Sequence, residues 1–63
     1  MEGKKLWYAV MIDNEDTDHD YGSFDLGKAT VMAIDLRMSG YEGAYIAVID
    51  TDDDFCVDEI REF

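Results

Sequence analysis

Cysteine is nearly absent. Cys56 is the only one among 63 residues, which excludes an internal disulfide and, with His19 the only histidine, any Cys/His metal cluster. A lone cysteine of this kind is expected to pack as a small buried apolar side chain. Basic residues are scarce as well: five lysines and arginines stand against 16 aspartates and glutamates, for a net charge of −11. That balance excludes charge-driven binding to a phosphate backbone and favours a basic partner, a cation, or simple solubility. No apolar run approaches the roughly 18 residues that span a bilayer, so no membrane partner is expected. The run after Lys4 and Lys5 ends in acids with no small-residue cleavage site. A signal peptide is therefore not expected, and the setting is read as cytoplasmic and reducing. A glycine-rich phosphate loop and a nucleophile with a positioned base are missing too.

What is present is apolar matter in short runs. Apolar residues make up 48% of the chain and aromatics 13%, so disorder is not expected despite the charge. The length predicts a single domain, residues 1–63. A chain so short buries only about 60% of its unfolded surface, and association is a common remedy.

The stretch Asp25 to Gly40 carries the helix pattern. Asp25 is a suitable N-cap, Gly40 a suitable residue just past the end, and Arg37 a favourable cation in the last turn. Leu26, Ala29, Met32, Ala33 and Leu36 make one apolar face. Val31, Ile34 and Met38 make a second stripe roughly opposite, which calls for a thick core or a partner subunit. Leu6 to Ile12 and Ala44 to Ile49 are predicted strands, apolar on both faces and free of glycine and proline. Phe55 to Ile60 is a third, more polar strand, with a helical alternative from the spacing of Val57, Ile60 and Phe63.

The expected architecture is α/β (α+β) in the order β-α-β-β, one helix on a three-stranded sheet. The preferred sheet order, 1-3-2, inserts the last strand between the other two; order 1-2-3 is the alternative. Either order leaves one sheet face bare. With Trp7 and Met11, or else Tyr8 and Val10, on it, and with Val31, Ile34 and Met38 on the helix, a dimer or tetramer is expected, Trp7 and Met11 being the preferred sheet contacts.

A strand-helix-strand crossover would bring both strand C-terminal ends to the same edge. Asp13, Glu15, Asp16, Asp18 and Asp20 would then crowd against Asp50, Asp52, Asp53 and Asp54. Three readings of that cluster follow. It can be a set of solvated turns. It can be a negative surface that competes for a basic, nucleic-acid-binding groove, in the manner of a DNA mimic. Or Asp13 and Asp50 can converge on a divalent cation, Mg²⁺ being the candidate, with His19 as a base for phosphodiester cleavage. The D-x-D-x-D run at Asp16, Asp18 and Asp20 is a poor calcium loop, because Gly22 falls one place late and Gly27 stands where a glutamate is needed.

In its size and in the runs DNEDTDHD and DTDDD the chain resembles small acidic proteins of phages and mobile elements, anti-CRISPR proteins among them. The resemblance is one of type and matches no motif. It implies an inhibitor that needs no cofactor, with a nuclease as its basic partner. The rival is a metal-dependent nickase acting as an oligomer, and a structural oligomer without a nucleic-acid link is the third expectation.

Overall fold

The run Leu6–Ile12 forms β1, one of two inner strands in the computed structural model, which describes residues 5–13 and 20–63. After it come β2 (Gly22–Ser23), α1 (Leu26–Met38), β3 (Ala44–Asp50) and β4 (Phe55–Ile60). The architecture is α+β: one helix on an antiparallel sheet of four strands in the order β2-β1-β3-β4.

Two expectations change. The last strand lies outside β3, which is the alternative order, and a short extra strand closes the other edge. More consequentially, β1 and β3 run antiparallel, with Leu6 opposite Asp50 and Ile12 opposite Ala44. The physical reason is β2. Ser23 pairs with Tyr8 and Gly22 with Ala9, and the Val10 amide donates to the Tyr21 carbonyl at 2.7 Å. The chain has therefore already returned alongside β1 before the helix starts. The helix runs in the direction of β1, and β3 must come back against it. Gly22 permits this approach: a Cβ there would collide with the Tyr8 carbonyl and stand 2.9 Å from the Ala9 Cα. What reads in sequence as a turn signal is an edge strand held tight against its neighbour.

The helix begins and ends as its sequence predicts. The Asp25 carboxylate accepts from the Gly27 amide at 2.8 Å, and Ser23 Oγ accepts from the Asp25 amide. At the other end Gly40 has φ +112°. The Gly40 amide donates to Arg37 and the Tyr41 amide to Leu36, at 3.1 and 3.0 Å, the paired bonds of a Schellman stop.

Alternation along the inner strands decides which face the helix covers. Val10 and Ile46 pair across β1 and β3, and with Ala29 and Ala33 of the helix they form the buried core. The two alanines let α1 lie close, and Tyr8, Met32, Leu36 and Ile60 pack around them. Trp7, Ala9 and Met11 face the other way, opposite Ile49, Ala47 and Tyr45.

Candidate functional site

Antiparallel pairing separates Asp13 from Asp50, which a crossover would have brought to one edge. Asp50 stands opposite Leu6, whereas Asp13 follows the far end of β1. Seven residues of strand at about 3.3 Å each put roughly 23 Å between them. Asp13 and Asp50 therefore do not converge on a cation, whose ligands stand within about 2.6 Å of it. Among the described residues no group of three acidic, histidine or cysteine side chains is placed to hold a metal ion. His19, Glu15, Asp16 and Asp18, proposed for the base and the acidic surface, lie outside the described residues.

Each of the two aspartates has another task. Asp13 is gripped by Arg61, whose Nη1 donates to Oδ2 at 2.7 Å while Nη2 lies 3.3 Å from Oδ1. Arg61 also donates to Glu59 at 3.0 Å and lies 4.1 Å over the Tyr45 ring. These two carboxylates raise its already high pKa, so the guanidinium is permanently charged. Burial, then Glu59, pushes the Tyr45 phenol above its usual value, with Arg61 opposing. Arg37 ties the same end together. It donates to the Ala44 and Arg61 carbonyls at 3.0 and 2.7 Å and covers the Phe63 ring. At this pole, acid is met by arginine.

Asp50 is buried, 3% exposed, and it shapes the hairpin. Its Oδ1 accepts from the Asp52 amide at 2.9 Å, and its carbonyl accepts from the Asp54 amide. Asp54 takes φ +57°, a left-handed conformation that aspartate tolerates better than most residues. Thr51 anchors the turn by donating its hydroxyl and amide to the Lys5 carbonyl at 2.9 and 3.3 Å. Asp52, Asp53 and Asp54 are left exposed at its tip.

Beside this turn lies a groove of about 620 Å³ on the face away from the helix. Trp7 and Ile49, a cross-strand pair, form its floor. Phe24 is its wall, edge-on to Trp7 with ring centroids 4.8 Å apart at 76°. Phe55, Cys56 and Thr51 line the hairpin side, and Asp20 and Asp54 bring carboxylates to it. Cys56 is exposed, not buried as expected, because β4 is an edge strand; its thiol donates to the Asp58 carbonyl at 3.1 Å. Aromatic faces and carboxylates together suit an organic cation, which draws on ring quadrupole and charge at once. Lys5 already does this in miniature, with Nζ 5.4 Å from the Phe24 ring centroid.

Sequence reading brings Trp7, Asp20 and Asp54 to the site but misses Phe24, Ile49, Thr51 and Phe55. Strand alternation alone places Trp7 and Ile49 on outward positions. Only the antiparallel register sets them side by side. Of the expected contact residues, Trp7 and Met11 are half-buried on the open sheet face, while Val31, Ile34 and Met38 are exposed on the helix. Comparison with family models, with curated proteins and with solved structures finds no match to this chain.

Proposed function

We propose that the protein is a non-enzymatic interaction protein that occupies a basic surface of a nucleic-acid-binding partner, a nuclease of the CRISPR type being the class its overall resemblance implies. The observation that carries the reading is the aromatic groove beside the exposed Asp52–Asp54 tip, with Asp20 and Asp54 among its lining residues. A lysine or arginine side chain fits there, its charge between carboxylates and its stem on Trp7 and Phe24. The surrounding negative field steers such a partner on approach. A surface that joins Asp13 to Asp50 is not part of the proposal, since about 23 Å of strand divides them. The active surface is the single pole at the β3–β4 hairpin.

Trp7 is the only tryptophan, so its fluorescence reports on the groove directly. An arginine-rich peptide is expected to change that emission, and the apparent affinity should fall as salt rises. A variant carrying D52N, D53N and D54N should bind at least about tenfold more weakly, the loss of roughly 1.4 kcal/mol. Asparagine tolerates the left-handed conformation at position 54, so the hairpin keeps its shape. Binding that ignores both salt and the triple substitution contradicts the reading.

A further inference from the structure

The helix carries two charges that its own dipole disfavours. Lys28 stands in the first turn and Asp35 in the last, the reverse of the arrangement a helix prefers. They lie two turns apart, too far to pair with each other. Among the described residues neither is drawn into a salt bridge. Both lie on one flank of the exposed stripe formed by Val31, Ile34 and Met38, which are 60, 38 and 82% exposed.

We infer that this face pairs with the same face of a second copy, the two helices antiparallel about a twofold axis near Val31. In an antiparallel pair, like flanks meet. Lys28 of each copy then lies beside Asp35 of the other, so one twofold makes two ion pairs. Each misplaced charge also acquires a dipole it suits: Lys28 sits over the partner's last turn and Asp35 over its first. A parallel pair would instead set the Lys28–Asp35 flank of each copy against the partner's Thr30–Arg37 flank, where Lys28 meets no carboxylate. Val31 and Ile34 fill the middle, and Met38 falls across the partner's first turn, where Gly27 presents no side chain to obstruct it.

Charge selects this element over the others. With Lys28 and Arg37 against Asp35, α1 has a net positive charge within a chain of −11, whereas β3 and β4 carry only acids. It is an exposed apolar surface without an excess of acid, and Lys28 and Asp35 on its flank balance one another. The groove lies on the opposite sheet face, so a dimer leaves two grooves open and adds avidity toward a partner with repeated basic side chains.

A helix of 13 residues spans about 20 Å and buries less than the roughly 1,200 Å² of a standard interface, so the dimer belongs to the weak, concentration-dependent class. Sedimentation velocity from micromolar to millimolar protein measures it, with circular dichroism to verify the helix. K28D and D35K are each expected to weaken dimerisation about tenfold or more. D35K should do so although it lowers the net charge. The double variant K28D/D35K keeps the net charge and remakes the ion pairs against the partner dipoles, so it should dimerise more tightly than either single variant, while I34E should abolish association. A monomer at every concentration overturns the inference, as does a dimer indifferent to either single reversal or no tighter in the double variant than in the singles.

Discussion

Two aspartates at strand ends illustrate how little a residue type says without its neighbours. Asp50 is buried and closes a turn, so Asp50→Ala is expected to cost about 1–3 kcal/mol through lost hydrogen bonds and a loosened hairpin. Neutralising Asp52 and Asp53 at the exposed tip should leave stability within about 0.5 kcal/mol of wild type. Urea denaturation compares the two. Gly22→Ala should destabilise by about 1–3 kcal/mol, because the methyl group has only the Tyr8 and Ala9 backbone to enter. Tyr45 makes a pH prediction. Its phenol is harder to ionise in the folded state than in the unfolded chain, so the folded state holds its proton to higher pH. The contribution is whole below the unfolded value of about 10 and is lost as pH rises through the folded one. Thermal stability should therefore fall in the alkaline range, and Tyr45→Phe should flatten that limb of the profile.

At the scale of elements, the helix and three main strands are legible from local pattern. Caps mark α1, and apolar runs mark β1, β3 and β4, because each signal resides within a few consecutive residues. Strand direction is not written that way. It depends on whether the segment after Asp13 ends at the far edge or doubles back, and that is decided by the contact of Gly22 with Tyr8, a meeting of residues fourteen apart in sequence. The same gap hides the groove, since Trp7, Phe24 and Ile49 share no local pattern. β4 presents a further elemental question: an edge strand with exposed Phe55 and Val57. A register shift opposite Val48 and Ile49, together with Asp58 and Glu59, guards it against pairing with another edge. Replacing Asp58 and Glu59 with valine and threonine is expected to raise aggregation, measured by light scattering at neutral pH.

For the molecule as a whole, the antiparallel sheet divides the charge into two unlike poles. One has Arg37 and Arg61 woven among its acids; the other ends in an aspartate-rich hairpin beside an aromatic groove. A net charge of −11 spread evenly would be a means of staying soluble. The exposed Asp52, Asp53 and Asp54 give the hairpin pole a local excess of acid next to aromatic rings, and a partner of the proposed kind would approach from that side. The most direct measurement is a nuclear magnetic resonance titration with an arginine-rich peptide, followed at backbone amides. Shifts are expected at Trp7, Phe24, Ile49, Asp52 and Phe55 and should be absent at Asp13, Tyr45 and Arg61. Equal shifts at both poles, or shifts centred on the Asp13–Arg61 pair, would contradict it.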